Sequence, residues 1–253
     1  MKIYDALNGQ MRLVGGCVRD FLLGKKPSDI DISTPLTPNA VGNKLEKSGI
    51  RVWPVAPKYG VMMAEICGEQ FEITTLRQES YETGKEKVSF ITDYARDARR
   101  RDFTINALSM DQNTVYDYFD GQIDLKNRCV RFIGKPAVRL KEDALRILRY
   151  LRFWSLYGDE QPDMDVVSLF PAFREGLKQI SFARRKKELD KILMSPRVIS
   201  VLNLMKQNDL LSYVLADWDI PRLELFLKKH PTASLSERLS HFGHYLQTER
   251  KKI

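Results

Sequence analysis

Segments of alternating polar and apolar residues fill the first half of the chain and give way to helical spacing in the second half. A period of two predicts strands, and apolar residues recurring every three or four positions predict helices. The alternating segments are 13–14, 29–33, 51–55, 61–66, 70–76, 108–119 and 129–133. The helical segments are 142–157, 164–170, 182–194, 198–207 and 223–229. This order predicts an α+β fold: a mixed sheet with helices on one side over residues 1–137, and an all-α region over 138–253.

Two further segments of the first half lack this alternation. Residues 37–49, TPNAVGNKLEKSG, predict a helix with Thr37 as its N-cap, Pro38 in its first turn and Gly49 at its end. Residues 78–98 are polar, charged and without periodicity. We therefore expect a long loop there, with little structure of its own.

A glycine pair begins a short predicted helix near the start of the chain, in LVGGCVRDFLLG, residues 13–24. Gly15 and Gly16 follow a short strand, residues 17–23 form the helix, and Gly24 ends it in a left-handed conformation. Exposed N–H groups at such a helix start suit the negative charge of a triphosphate.

Two aspartates, Asp29 and Asp31, follow in the alternating segment DIDIS. A strand would place both carboxylates on one face, with Ile30 and Ile32 on the other. Adjacent carboxylates repel each other unless cations lie between them, and hard oxygen ligands suit Mg²⁺. A bare pair of this kind is usually an edge strand with two solvated acids. The glycine turn directly before it favours a metal-dependent nucleotidyl-transfer site.

Glu72 is a candidate third carboxylate of that site. In QFEITTLR, residues 70–77, the alternation places Glu72 and Thr74 on one face and Phe71 and Ile73 on the other. Glu72 would then face the same cleft as the two aspartates. A solvated strand glutamate fits the pattern equally well, and both readings stay open.

The charge balance points to an acidic partner. The chain carries 41 basic and 33 acidic side chains, a net charge of +8, and residues 138–253 contribute +6 of it from 21 basic and 15 acidic residues. Nucleic acid is the simplest such partner, although a solvated basic surface has the same composition. The sequence has no run of 18 apolar residues and no signal segment, and its three cysteines are far apart. These features predict a cytoplasmic protein with reduced thiols and no membrane partner.

An arginine cluster opens the segment DARRRDFTINAL, residues 97–108. We expect Arg99, Arg100, Arg101 and Asp102 to lie at the start of an apolar helical segment. Arginines beside a triphosphate would clamp it, and Asp102 could accept a hydrogen bond from a ribose hydroxyl. A capped helix start with exposed arginines is the alternative interpretation.

A third cluster lies in RLKEDALRILRYLRF, residues 139–153, where Asp143, Arg146, Arg149 and Arg152 recur every three residues. An ion-paired surface helix would explain the spacing, with Asp143 and Arg146 as a pair worth only about 0.2 to 0.5 kcal/mol. The alternative is base recognition. Cytosine and adenine each present an exocyclic amine beside an unprotonated ring nitrogen, which a carboxylate and a guanidinium can read together. Uracil and guanine present a carbonyl and a ring N–H there, so both contacts would fail. Arg149 and Arg152 would then bind phosphates or hold the helix.

These segments together resemble the class II transfer-RNA nucleotidyltransferases, or CCA-adding enzymes, and the related bacterial poly(A) polymerases. Both belong to the polymerase-beta-like nucleotidyltransferase superfamily. GGCVRD followed by DID is similar to the family's catalytic motif. The resemblance implies that Asp29 and Asp31 hold Mg²⁺ and that Gly15, Gly16 and Arg19 lie near the triphosphate.

Three later segments carry the same resemblance, which is close through residue 158. RRDFTINAL is similar to the ribose-recognition motif, which implies that Arg100, Arg101, Asp102 and Asn106 contact the nucleotide. DYFDGQIDL, residues 117–125, is similar to the hinge motif between head and neck. EDALR, residues 142–146, matches the motif that selects the base. The family thus assigns base selection to Asp143 and Arg146.

The last family motif is weaker. ISFARRKKEL, residues 180–189, keeps Arg184 and Glu188 but has Ala183 where an acidic residue is usual. Further helical segments that hold the transfer RNA in relatives are nearly absent from this sequence. We expect RNA to be bound instead by the basic helices, a hypothesis that rests only on charge and involves Arg184, Arg185, Lys186, Lys187, Lys228 and Lys229.

The resemblance implies an enzyme that adds C, C and A to the 3′ end of transfer RNA from CTP and ATP, with release of pyrophosphate and Mg²⁺ as cofactor. The alternatives are a CC-only or A-only adding enzyme, a poly(A) polymerase, an antibiotic-modifying nucleotidyltransferase and a non-catalytic RNA-binding relative. The full-length 78–98 segment argues against CC-only addition. GEQFEIT, residues 68–74, lacks the basic stretch associated with poly(A) polymerases.

Overall fold

The computed structural model describes residues 2–82 and 85–246, and the side chains of residues 80–86 are outside this description. The chain forms two compact units, Met1–Lys126 and Asn127–Ile253. The domain boundary that we placed between residues 137 and 138 falls inside the second unit and stays a prediction. In the described residues no helix is long and apolar enough to span a bilayer.

A seven-stranded mixed sheet forms the centre of the first unit. The strands of this unit are β1 (Arg12–Val14), β2 (Asp31–Thr34), β3 (Arg51–Ala56), β4 (Val61–Ile66), β5 (Glu69–Thr75), β6 (Arg77–Glu82), β7 (Lys85–Phe90), β8 (Ser109–Met110) and β9 (Val115–Tyr116). The sheet order is β3-β4-β5-β2-β1-β8-β9, and β6 and β7 form a separate antiparallel ribbon. Strands β2 and β5 pair in parallel, while the other described pairs of the sheet are antiparallel.

The helices of the first unit are α1 (Lys2–Ala6), α2 (Gly16–Leu22), α3 (Pro38–Lys47), α4 (Tyr94–Arg99) and α5 (Gly121–Lys126). Helix α3 begins and ends as predicted. The Thr37 hydroxyl accepts a hydrogen bond from the Ala40 N–H, Pro38 occupies the first turn, and Gly49 follows the helix with a φ of 70°. These are the residue types that begin and end helices.

One face of the sheet is apolar and packs against α1 and α3. Its core includes Ile32 of β2 and Ile73 of β5 together with Val41 and Leu45 of α3, each at most 2% exposed. Burying such a side chain contributes about 1.5 to 3 kcal/mol. Because side chains alternate along a strand, the neighbours of Ile32 and Ile73 point to the opposite, polar face.

The second unit is helical, as the spacing predicted. Its helices are α6 (Pro136–Glu142), α7 (Leu145–Tyr157), α8 (Met164–Val167), α9 (Phe170–Phe173), α10 (Phe182–Leu193), α11 (Val198–Gln207), α12 (Ile220–Lys229) and α13 (Leu235–Phe242). Helix α7 is the centre of this unit and packs against α10 and α11. The Tyr150 ring stacks on Phe132 with centroids 5.8 Å apart, and Phe170 meets it edge-on.

Several predicted elements were wrong. The expected loop over residues 78–98 contains the β6–β7 ribbon and α4, because cross-strand pairs and the Asp93 N-cap order a segment that lacks apolar periodicity. Residues 129–133 form no strand. The predicted helix over 142–157 is interrupted, since Asp143 has an extended backbone (φ −150°, ψ 105°). The segment 164–170 divides into two short helices, and α13 was missed.

Candidate active site

The polar face of the sheet places two acidic residues side by side. Asp31 begins β2 and Glu72 lies directly opposite it on β5. The Thr74 hydroxyl, on the same face, donates to Glu72 Oε1 at 3.4 Å. Asp29 precedes the strand, is exposed, and accepts a hydrogen bond from the Ser28 hydroxyl at 2.9 Å. The strand is thus shorter than predicted, and Ile30 is 36% exposed instead of packing beside Ile32.

The electrostatics of Asp31 reflect this crowding. Burial raises the pKa of its carboxyl group, and the negative charges of Glu72 and Asp29 raise the pKa further. The Arg101 guanidinium acts in the opposite direction and lowers it. Asp31 therefore lies where negative charge is unfavourable and a cation is favoured.

The donor chemistry of these residues fits a hard divalent cation. Carboxylate oxygens are the ligands that Mg²⁺ prefers, and Mg²⁺ is often held by one or two carboxylates plus substrate phosphates. Among the described residues, no three acidic, histidine or cysteine side chains are gathered as a metal-binding group. The structure thus brings Asp31 and Glu72 together and leaves the complete set of Asp29, Asp31 and Glu72 a prediction.

The glycine turn lies beside these carboxylates at the start of α2. Gly15 has a φ of 74° and a ψ of −124°, which side-chain-bearing residues rarely adopt. A Cβ at this position would lie 2.9 Å from Arg101 Nη1, so glycine also makes room for that guanidinium. The Gly15 N–H donates to the Leu108 carbonyl at 2.9 Å. The Gly15 N–H is therefore already engaged within the protein, and the predicted contact of the turn with a triphosphate stays a prediction.

Arg19 lies inside the first unit, where it joins α2 to the segment RRDFTINAL. The side chain is 6% exposed, donates to Asn106 Oδ1 at 2.5 Å and pairs with Asp20 at 2.9 Å. Asn106 in turn donates to Asp102 Oδ1 at 3.1 Å, and the Phe103 N–H donates to the same oxygen. Asp102 and Asn106 are each 8% exposed. This network fixes Asp102, the predicted ribose acceptor.

The arginine cluster lies at the end of α4, whose last residue is Arg99, instead of beginning an apolar helix. Arg100 donates to Asp97 Oδ1 at 2.9 Å and lies 3.3 Å from Glu79 Oε1. Arg101 lies 3.5 Å from Asp97 Oδ2 and donates to the Asn106 carbonyl at 3.4 Å. Burial lowers the pKa of Arg101, and the negative charge of Asp97 opposes this shift.

Asp97 and Glu79 are residues that sequence reasoning missed. Both lie in the segment interpreted as a loop. A helix beginning at Asp93 would have placed Asp97 three and four residues before Arg100 and Arg101, a spacing at which helical side chains meet. That N-cap signal was present in the sequence.

The predicted base-reading residues lie at the break between α6 and α7. Asp143 Oδ1 accepts from the Leu145 N–H at 3.0 Å, and its Oδ2 accepts from Arg184 at 3.0 Å. Arg146 donates to the Arg139 carbonyl at 2.8 Å and pairs with Glu142 at 2.6 Å. Asp143 and Arg146 are therefore held by separate partners at the start of α7. The ion pair that we considered between these two side chains holds neither of them.

Arg152 and Arg149 are oriented by one buried acid of α10. Arg152 donates to Glu188 Oε2 at 2.6 Å and Arg149 lies 3.6 Å from Oε1. The side chains of Arg152 and Glu188 are 10% and 7% exposed. Of the two roles predicted for Arg152, the structure favours holding the helix over binding phosphate.

The basic residues of α10 differ in their surroundings. Arg184 pairs with Asp143, while Lys186 pairs with Asp190 at 2.8 Å and lies 4.3 Å from the Tyr245 ring centroid. Burial lowers the pKa of the half-buried Arg185. Lys187 is exposed. On α12, Lys228 pairs with Glu224 at 3.1 Å. The predicted RNA-binding role of these residues stays a prediction.

The segment DYFDGQIDL, residues 117–125, is held by hydrogen bonds to two of its aspartates, Asp117 and Asp124. The Asp117 carboxylate accepts from the N–H groups of Phe119, Gly121 and Gln122 at 2.8 to 3.2 Å. Asp124 accepts from the Thr104 hydroxyl at 2.5 Å. The segment thus caps α5 and binds it to the turn that follows the arginine cluster.

Comparison with known proteins over most of the chain agrees with the family resemblance that the motifs indicated. Residues 11–131 match the poly(A) polymerase head domain, and residues 162–220 match the probable RNA- and SrmB-binding site of polymerase A. The chain is 38% identical to the mitochondrial CCA tRNA nucleotidyltransferase 1 of Danio rerio, covering 88% of this chain and 53% of that protein. It is 41% identical to the human protein of that name, over 82% of this chain and 49% of the relative.

A bacterial relative and two solved structures extend the comparison. The CCA-adding enzyme of Oceanobacillus iheyensis is 41% identical over 73% of this chain and 46% of its own. The Bacillus stearothermophilus CCA-adding enzyme in complex with CTP superposes with a TM-score of 0.75 at 27% identity, covering 91% of this chain and 62% of that one. A tRNA nucleotidyltransferase with a primer tRNA and an incoming ATP analog gives a TM-score of 0.72 at 27% identity, covering 90% and 68%.

The chain spans about half the length of the curated relatives it matches. Those relatives include mitochondrial and bacterial proteins, so the cytoplasmic location stays a prediction. The mixed sheet followed by helices matches the fold that the motifs predicted. On the head-domain match, the sequence identities and the shared fold, the chain belongs to the family of class II CCA-adding enzymes and poly(A) polymerases.

Proposed function

We propose that this chain is a template-independent RNA nucleotidyltransferase that adds C, C and A to the 3′ end of transfer RNA from CTP and ATP, with release of pyrophosphate. The observation that carries the proposal is the pairing of Asp31 with Glu72 on the polar face of the sheet, beside Arg101 and the Gly15 turn. Neighbouring carboxylates repel each other, so their pairing costs electrostatic energy. A relative that only binds RNA would gain nothing from this pairing.

The nucleotide would bind between the acidic residues and the arginines. Arg100 and Arg101 supply fixed positive charge for the triphosphate, and guanidinium groups match phosphate oxygens in geometry. Asp102, held by Asn106 and the Phe103 N–H, retains acceptor capacity for a ribose hydroxyl. The attacking group is the 3′ hydroxyl of the RNA, and its target is the α-phosphate. Catalysis then consists of positioning and charge neutralisation.

Enzymes of this family generally use a divalent metal ion, and we propose Mg²⁺ here. Asp29 and Asp31 would hold it, with Glu72 as a third carboxylate. Bound Mg²⁺ would neutralise charge on the triphosphate and lower the pKa of the attacking hydroxyl. The fit rests on the hard oxygen donors and on the repulsion that raises the pKa of Asp31.

Base selection would depend on Asp143 and Arg146. Leu145 and Arg184 orient the Asp143 carboxylate, which has lone pairs left for the exocyclic amine of cytosine or adenine. Arg146 would donate to the adjacent ring nitrogen. Uracil and guanine would leave both side chains unpaired.

The test is incorporation into transfer RNA that ends before CCA, with Mg²⁺ and CTP alone, ATP alone or all four nucleotides, followed by sequencing of the product ends. Addition of CCA and nothing further supports the proposal. Products ending in CC, in a single A or in an A tail would replace it with the corresponding enzyme alternative. Binding of RNA without any addition would favour the non-catalytic relative.

Two variants make this test specific. Asp31→Asn should abolish addition, whereas Glu46→Gln, a matched change at an exposed acid of α3, should retain it. Full activity of Asp31→Asn would remove the metal assignment.

Base selection has its own variant. Asp143→Ala should still transfer nucleotides but lose at least about 100-fold of the discrimination against UTP and GTP, because it removes one of two hydrogen-bonding tests. Asp165→Ala, at an exposed acid of α8, is the matched control. Unchanged fidelity in Asp143→Ala would contradict the assignment.

A further inference from the structure

A buried acid lies behind the predicted triphosphate-binding arginines. Asp97, in α4, is 2% exposed. A buried carboxylate is costly unless charged or hydrogen-bonding partners surround it. The groups that contact the Asp97 carboxylate therefore indicate its role.

The Asp97 carboxylate has partners from two places in the chain, residue 77 and the adjacent residues 100 and 101. The Arg77 backbone N–H, at the start of β6, donates to Oδ1 at 3.1 Å. Arg100 Nε donates to the same oxygen at 2.9 Å, and Arg101 Nη2 lies 3.5 Å from Oδ2. One carboxylate thus contacts both arginines and the first residue of the ribbon.

Arg101 extends from Asp97 toward the glycine turn. Its Nη1 donates to the Asn106 carbonyl at 3.4 Å and lies where a Cβ on Gly15 would be 2.9 Å away. Without Asp97, less negative charge would oppose the repulsion between the two neighbouring guanidinium groups. Glu79 would still contact Arg100 and the Asn106 carbonyl would still accept from Arg101, so both side chains would be held less firmly and would regain part of their rotamer freedom.

We propose that Asp97 is a positioning residue that holds Arg100 and Arg101 in place for the triphosphate of incoming CTP or ATP. The inference rests on the proposed nucleotidyl transfer. Asp97 contacts the arginines from the protein interior and does not touch the nucleotide. Its contribution is preorganisation: the arginines are already ordered when the nucleotide arrives, so binding loses less entropy.

The test compares Asp97→Asn with Asp93→Ala. Asp93 caps the same helix by accepting from the Ala95 and Arg96 N–H groups and is exposed. Its substitution therefore weakens α4 and leaves the contacts of Asp97 in place. Asp97→Asn should raise KM for CTP and for ATP about tenfold, the loss expected for weakened charge-assisted hydrogen bonds, with KM for transfer RNA unchanged. Asp93→Ala should leave the nucleotide KM values unchanged.

A purely structural role gives a different pattern. A structural role predicts that Asp97→Asn and Asp93→Ala both lower the thermal midpoint and the amount of active enzyme. Neither variant would then raise KM for the nucleotides selectively. If Asp97→Asn does not fold, Asp97→Glu keeps the charge and shifts it by one methylene. This variant should give an intermediate rise. An unchanged nucleotide KM in either folded variant overturns the inference.

Direct titration with a non-hydrolysable ATP analogue and Mg²⁺ separates this inference from the proposed function. If the wild-type chain adds CCA and Asp97→Asn has a normal nucleotide KM, only the positioning role is wrong. If the wild-type chain binds the analogue but adds nothing, the proposed function is wrong. The ratio of the Kd of Asp97→Asn to that of the wild-type chain for the analogue then decides the role of Asp97. If the wild-type chain binds no analogue, both are overturned.

Discussion

Replacement of Glu188 by alanine should destabilise the helical unit strongly. Glu188 lies on α10 and its side chain is 7% exposed. It accepts from the buried Arg152 at 2.6 Å and lies 3.6 Å from Arg149. The variant removes this carboxylate and leaves the Arg152 guanidinium in the interior without it.

The magnitude follows from the burial of the pair. Breaking a buried ion pair by removing one partner costs about 3 to 5 kcal/mol. The Phe153 ring, 4.2 Å from the Arg152 guanidinium, stabilises the cation that remains, so we expect the lower end, about 3 kcal/mol. For a chain of this size that corresponds to a fall of about 6 to 12 °C in thermal midpoint.

The assay is chemical and thermal unfolding followed by circular dichroism. Glu224→Ala is the matched control, because Glu224 also pairs with a cation on a helix, Lys228, but both side chains are exposed (45% and 67%). Its loss should cost less than about 0.5 kcal/mol. The double variant Glu188→Leu with Arg152→Met should recover most of the stability, since it leaves no buried charge unpaired. A Glu188→Ala midpoint no lower than that of Glu224→Ala would refute the reasoning.

Further predictions concern backbone packing, pH and metal. Gly121→Ala should lower stability by about 2 kcal/mol, because its Cβ would lie 2.4 Å from the Thr104 carbonyl oxygen. Gly42→Ala, inside α3, should raise stability by about 0.5 to 1 kcal/mol, because its Cβ would make an ordinary van der Waals contact with Met62 Cε at 3.7 Å; unfolding curves that move together would contradict this. Burial and neighbouring cations lower the pKa of Lys191. The unfolded state then binds more protons in the window just below the ordinary lysine pKa, so stability should rise with pH there. Lys191→Gln should flatten that rise, and denaturant midpoints measured against pH decide. Removal of divalent metal by EDTA should stop nucleotide addition and Mg²⁺ should restore it, whereas full activity in EDTA would exclude the proposed metal role.

Local sequence determined most of the helices and strands. The Thr37 cap with Pro38 and Gly49 fixed α3, and alternation located β3, β4 and β5 within a residue or two. These signals are local, since the capping residue or the period acts on its own element. The same locality explains the failure at residues 78–98, where cross-strand pairing and a helix cap create order without an apolar period.

The motifs located the candidate site but not the contacts within it. Asp31 and Glu72 are far apart in sequence, and only the parallel register of β2 and β5 makes them neighbours. Likewise, the sequence showed Arg152 as one of four regularly spaced charges, and tertiary packing decided that it meets Glu188. Charge spacing along one element does not say what lies on the next element.

The sequence by itself therefore determined the fold class, most of the elements and the family. Tertiary structure decided which charged groups from distant segments pair with each other: Arg152 with Glu188 in the interior, and Asp143 with the more exposed Arg184. The physical reason is that propensity and periodicity act over a few residues, whereas the energy of a charge depends on every group packed around it, however distant in sequence.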